Sequence, residues 1–485
     1  MIPTHSRSAW LPCALLVLLG ASVQAQDESA PQAAFEAKAL NERFEQKLRP
    51  AFEQALGRKL EGSIEFVLTD TEGMTKLVVE ESARLSGKLS DVSPEQFTEG
   101  AKMIAQGAMG KVRISDGKIL INPEVFKTFG KMFSPKCLEQ PFLDVVLLHE
   151  AVHAAQHRTH DLGAFMFDQT SMDALKARMS VVEGHAQVVA RKAAKALGLD
   201  EAFALLIKVN STVPEGVDPA LATVMRAIVA DAAFPYVQGE GFMNALVEQE
   251  GGVAKAEARG FSKPPLTQRQ VSRPKEYYEP PKDLFDVSAM GEKLAKLWKL
   301  EELPIAQKLQ LNDAQLRSGM GGVDKKLADE AMDHLDGAWL FVARGAASQV
   351  TFAYMHFNNE HASKSMLELE HKILKSKYDQ FRGAGMIKIV KSAYGSSPYE
   401  GVSGVTVEME LEAGPQKVKV SGVILRVGDH ILELNATNVP DAREKLLAYL
   451  DEVLPLLGLE KVARAKETTS SEAPPSGKEP SDEGE

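Results

Sequence analysis

The chain has 485 residues, 44% of them hydrophobic and 25% charged, which is ordinary globular composition and excludes a collagen-like or wholly disordered protein. Lys plus Arg number 56 against 67 Asp plus Glu, a net charge of −11 with no long basic run, which argues against nucleic acid as a partner. The first 25 residues read as a secretory signal: Arg7, an apolar core from Trp10 to Val23, and small residues at Val23 and Ala25 that set a cleavage site. The apolar run is shorter than the roughly 20 residues a spanning helix needs. The expected product is therefore exported, periplasmic or extracellular, with no stable membrane insertion once the signal is removed. Cys13 leaves with the signal and Cys137 stands alone, so no internal disulfide is expected.

Apolar spacing predicts a helix over 35–56, a strand over 63–69, and helices over 72–86 and 94–107. Residues 111–115 and 118–122 flank Asp116-Gly117 and read as a hairpin. Helices are predicted over 139–157, 171–197 (stopped by Gly198), 200–208, 218–233 and 240–248. Residues 263–283 are rich in proline and charge and read as a wrapping segment or linker. Helices follow at 289–300, 323–334 and 362–377, strands at 339–344, 349–357, 386–392, 403–412, 416–427 and 430–436, and a last helix at 440–456. The expected architecture is α+β: signal 1–25, a mainly helical domain with a small β-sheet at 26–283, a smaller α+β module at 284–460, and a disordered acidic tail at 461–485.

One motif carries chemistry. His149-Glu150-Ala151-Val152-His153 is an H-E-x-x-H sequence inside an apolar helix. Four residues advance about 400° along a helix, so both imidazoles leave one face and can share a Zn²⁺. Glu150 sits about 100° away, placed to reach a water and act as general base. Chance produces this motif about 0.02 times in such a chain. A catalytic zinc wants three protein ligands and one open position. Thr159 occupies the place of a third histidine ten residues after the first, His160 is one residue off register, and His157 is rotated off the site. Glu183 is the better third ligand: about 13 residues (158–170) let its helix fold back, and Gly184 and Ala186 permit close approach. A solvated helix glutamate is the alternative. For an oxyanion-stabilising group the candidates are His185, His157, Tyr236, Tyr277 and Tyr278.

H-E-x-x-H followed by Glu183-Gly184-His185-Ala186 on the next long helix resembles the gluzincin zinc metallopeptidases. Pro235 to Phe242, Gly251-Gly252 and Lys263-Pro264-Pro265-Leu266-Thr267 resemble a family of secreted gluzincin-like proteins. The likeness spans roughly 110–283 and extends weakly to about 375. It implies a zincin-like fold, one Zn²⁺ on His149, His153 and Glu183, Glu150 as base, and a peptide or protein substrate. Gln187 stands where many gluzincins orient a ligand histidine with Asp, and Gln268 to Pro274 replaces an acidic-histidine cluster. A catalytically silent zinc-site protein, or a metal-free extracytoplasmic binding protein, is the alternative function. The second module offers no constellation: His356, His361 and His371 are scattered and read as packed or solvated.

Overall fold

A computed structural model describes residues 35–85, 88, 94–214, 219–281, 285–311, 313–320, 323–383, 387–413, 416–459, 462–465 and 469–470. The signal segment, its cleavage site and the tail beyond residue 470 lie outside these residues. The protein is α+β and divides into two compact units, one ending at Pro281 and one beginning at Lys282. Among the described residues no helix is long and apolar enough to cross a membrane.

The first unit opens with α1 (Ala37–Arg43) and α2 (Arg49–Leu56), joined by a π-helical segment, Phe44–Leu48. Then come β1 (Phe66–Leu68), α3 (Thr71–Ser82), α4 (Pro94–Gly107), β2 (Gly110–Val112), β3 (Ile119–Ile121) and α5 (Pro123–Met132). Strand β3 is central, parallel to β1 and antiparallel to β2, which leaves β2 at the edge. Helix α6 (Gln140–Thr159) is buried at every residue from Phe142 to Gln156, the polar side chains of Asp144, His149, Glu150, His153 and Gln156 included. Helices α7 (Leu162–Phe167) and α8 (Met172–Ala196) follow, so the expected 158–170 loop contains a helical turn. Ser171 caps α8 through Ala174 N–H, and Gly198 at φ 70° turns the chain out beyond it.

After α9 (Asp200–Ser211), one helix, α10 (Pro219–Glu250), replaces the two expected. Pro235 lies within it and has no N–H to continue the backbone ladder. Packing overrides that local penalty, because α10 crosses α8 backbone to backbone. A Cβ added at Gly184 would stand 2.1 Å from the Gly239 carbonyl oxygen, and one at Gly239 would stand 2.4 Å from the Ser180 carbonyl oxygen. Gly184 therefore serves the α8–α10 crossing, not an approach to α6. Helices α11 (Val253–Ser262), α12 (Gln268–Ser272) and α13 (Pro274–Tyr278) complete the unit. The segment read as a linker is thus largely folded onto this unit: Gln268 is buried and donates to Asp173 at the start of α8.

The second unit contains α14 (Val287–Lys296), β4 (Ile305–Leu311), α15 (Asp313–Met320), α16 (Lys325–Met332), β5 (Leu335–Arg344), β6 (Gln349–Phe357), α17 (Glu360–Gly383), β7 (Ile387–Ser396), β8 (Ser403–Ala413), β9 (Gln416–Val427), β10 (His430–Thr437), α18 (Ala442–Val453) and the short β11 (Thr469–Ser470). They form an antiparallel sheet ordered β11-β7-β8-β9-β10-β6-β5-β4. One face buries Phe341, Phe352, Tyr354, Leu432 and Leu434 against Leu294 of α14 and Leu446 and Leu450 of α18. The other buries Met355, Phe357, Ile424 and Ile431 against Met332 of α16 and Met366 of α17. The tail expected to be disordered from 461 is ordered at its start: Arg464 bridges to Tyr399 and Thr469–Ser470 pairs with β7.

Candidate metal centre

Helices α6 and α8 pack side by side and bring His149, His153 and Glu183 together. His149 Nε2 stands 3.2 Å from His153 Nε2 and 3.2 Å from a Glu183 carboxylate oxygen, and His153 Nε2 stands 3.3 Å from the same oxygen. A tetrahedral ion with bonds of 2.0–2.1 Å has ligand-to-ligand edges of about 3.3 Å. The three donor atoms thus already sit at the corners of one face of such a tetrahedron.

Gln156 donates its amide N–H to Val182 O (2.9 Å) and toward His185 Nδ1 (3.0 Å), so its oxygen is the atom facing His153 Nδ1 at 2.9 Å. His153 Nδ1 must then carry the proton and donate it. Its Nε2 turns a lone pair toward a carboxylate and another imidazole nitrogen, and a cluster of facing acceptors needs a cation or extra proton at its centre. All three residues are largely buried. Without an ion the extra charge is a proton. Burial alone lowers the His153 imidazole, but the facing Glu183 carboxylate overrides it and raises it to about 9. The Glu183 carboxyl, which burial alone would raise, is driven far below its ordinary range by His153 and His149. The donor set, two imidazoles and a carboxylate, suits Zn²⁺.

Glu150 is buried beside this trio, and burial pushes its carboxyl up against the opposing pull of His153 and His149. Space for it comes from Gly110 of β2, where a Cβ would stand 2.6 Å from Glu150 Cγ. A cavity of roughly 160 Å³ opens there, lined by Ile104, Met109, Phe129, Val146, Leu206 and Tyr236 together with His149 and Glu150.

Tyr236 reaches the site from α10, its ring stacked 6.0 Å from that of His149. His185 does not face the cavity; it is fully buried behind His153, against Gln156. Gln187 makes no hydrogen bond to His149 or His153: it is buried, and both its amide atoms lack a hydrogen-bond partner among the described residues. Tyr277 and Tyr278 are committed to Lys263 O and Glu250, and His157 packs where a Cβ on Gly117 would meet it at 2.8 Å. The histidine-orienting role falls to Gln156, whose i+3 spacing from His153 was available in the sequence. Behind it, Glu257 holds Arg58 at 3.0 Å and His160 at 3.3 Å, a pairing no local pattern announces. Comparison with protein-family models, curated proteins and solved structures finds no match.

Proposed function

We propose that this is an exported zinc-dependent peptidase of gluzincin type, with His149, His153 and Glu183 as ligands and Glu150 as general base. The observation that carries it is the mutual 3.2–3.3 Å spacing of three acceptor atoms with the Glu150 carboxylate beside them. Zinc in such a site supplies Lewis acidity, acidifying a water and polarising the scissile carbonyl. Glu150 takes the proton from the attacking water as the C–O bond forms, then returns it to the amine nitrogen as the C–N bond breaks. Its buried position keeps that proton from bulk water.

A substrate strand can pair with the edge of β2, whose strand partner among the described residues is β3 alone. The apolar cavity next to His149 then accepts an apolar side chain of that strand. Among the described residues the donor group has three members, which favours an open catalytic position over a closed structural one. The test is digestion of a mixed peptide library by the zinc-loaded chain, read by mass spectrometry. Cleavage is expected from the wild type and not from Glu150→Gln, which keeps the metal. No cleavage by either, with zinc bound, supports the silent zinc-site alternative.

A further inference from the structure

The second unit places two more histidines and a carboxylate in one cluster, on elements far apart in sequence. His356 is the last residue but one of β6 and His430 begins β10, and the two are direct register partners, so both imidazoles leave the same face of the sheet. Their rings lie 4.8 Å apart. Asp429 occupies the two-residue turn between β9 and β10, where Gly428 at φ 58° supplies the left-handed position. Its carboxylate reaches both rings, one oxygen 3.5 Å from His356 Nε2 and the other 3.2 Å from His430 Nε2.

The far side of each ring is also held. Strand β5 shifts register between Leu335 and Gly337, and the residue it displaces, Asp336, accepts from His356 Nδ1 at 2.9 Å. Tyr354 Oη lies 2.9 Å from His430 Nδ1. Phe285 stacks on His356 at 3.9 Å and fixes its plane. A carboxylate accepts only, so His356 Nδ1 carries a proton and donates it to Asp336. A neutral His356 then points its Nε2 lone pair at a second carboxylate, Asp429. That arrangement is repulsive unless a cation or a second proton lies between them. Imidazoles tied at Nδ1 to an oxygen and free at Nε2 are the usual dress of metal-binding histidines.

We propose that this corner of the sheet is a second metal site, taking a divalent first-row transition ion through His356 Nε2, His430 Nε2 and the Asp429 carboxylate. Two imidazoles and one carboxylate select such an ion over Ca²⁺ or Mg²⁺, which prefer all-oxygen shells. The proposal is independent of the site on α6 and α8.

The test uses the full chain with His149→Ala and His153→Ala, titrated with Co²⁺ and followed by visible absorption and by metal content. About one equivalent is expected to bind with a ligand-field spectrum, and Ca²⁺ is expected not to compete. Adding His430→Ala, or separately Asp429→Asn on its part-exposed turn, is expected to weaken binding at least about tenfold with circular dichroism unchanged. Absence of Co²⁺ and Zn²⁺ binding in the parent variant overturns the proposal, since a proton then fills the gap. So does binding unaltered by Asp429→Asn, a change that keeps the test decisive should His430→Ala fail to fold.

Discussion

Gly184→Ala probes the α8–α10 crossing next to Glu183. The added methyl carbon would stand 2.1 Å from the Gly239 carbonyl oxygen and 2.2 Å from its carbonyl carbon. These are backbone atoms and cannot swing aside, so α8 and α10 must part by about 1 Å to reach ordinary contact. In a helix interior Gly→Ala normally stabilises by about 1 kcal/mol. Overpacking of this kind costs about 1–3 kcal/mol, and a rigid clash lies at the upper end, so a net loss of about 1–2 kcal/mol is expected. Glu183 is the adjacent residue and moves with the α8 backbone, so zinc affinity is expected to fall about 10–100-fold, as when a supporting partner of a metal ligand is lost. Gly241→Ala is the control: it lies in α10 with nothing within 4 Å of its Cβ position and is expected to stabilise. Urea unfolding and zinc competition with a chromophoric chelator read both effects. A Gly184→Ala protein as stable as Gly241→Ala, with unaltered zinc affinity, would refute the reasoning.

Further outcomes follow from the same geometry. Gly110→Ala displaces the Glu150 side chain, so peptide hydrolysis should fall at least about tenfold while zinc content stays unchanged; joint loss of both would show a general collapse of the site instead. Gln156→Leu removes the acceptor on His153 Nδ1, and zinc affinity should drop about 10–100-fold, with an undiminished Kd as the contrary result. Glu257 tests pH dependence. Burial raises its carboxyl, but the hydrogen bond from His160, the charge of His185 and the Arg58 guanidinium together bring it down to about 2. The stability it contributes, about 3 kcal/mol, is complete above its ordinary range near pH 4.5 and is lost as pH falls toward 2. Wild type and Glu257→Gln should therefore differ most at neutral pH and converge near pH 2; a constant difference would contradict the pairing.

Strong periodicity made much of the fold legible. Helix α8 starts at its Ser171 cap and stops before Gly198, while the alternation over 403–412 marked β8 but suggested a half-exposed sheet, where helices in fact pack on both faces. Helix α10 was hidden because Pro235 is a local breaker, while the Gly184–Gly239 crossing that holds the helix together is a tertiary fact. Strand β4, Ile305–Leu311, carries Gln and Lys because it is an edge strand, so its apolar signal is weak. At the first site His149, Glu150 and His153 were legible because one helix spaces them. Gln187 drew attention as a helix neighbour of Glu183, yet its side chain faces the interior and Gln156 orients His153 from α6 itself. The His356–Asp429–His430 cluster was invisible because sheet register, not sequence spacing, joins β6 to β10.

The central claim is that Glu183 completes a zinc site with His149 and His153. The most direct measurement is zinc content per chain of the wild type beside Glu183→Ala, both purified without chelators and dialysed against the same free zinc. The difference between them isolates this site from the one in the second unit. Glu183→Ala should carry about one zinc fewer than the wild type, with the same secondary structure. Equal zinc in the two proteins, or none in either after stoichiometric metal is added, would contradict it.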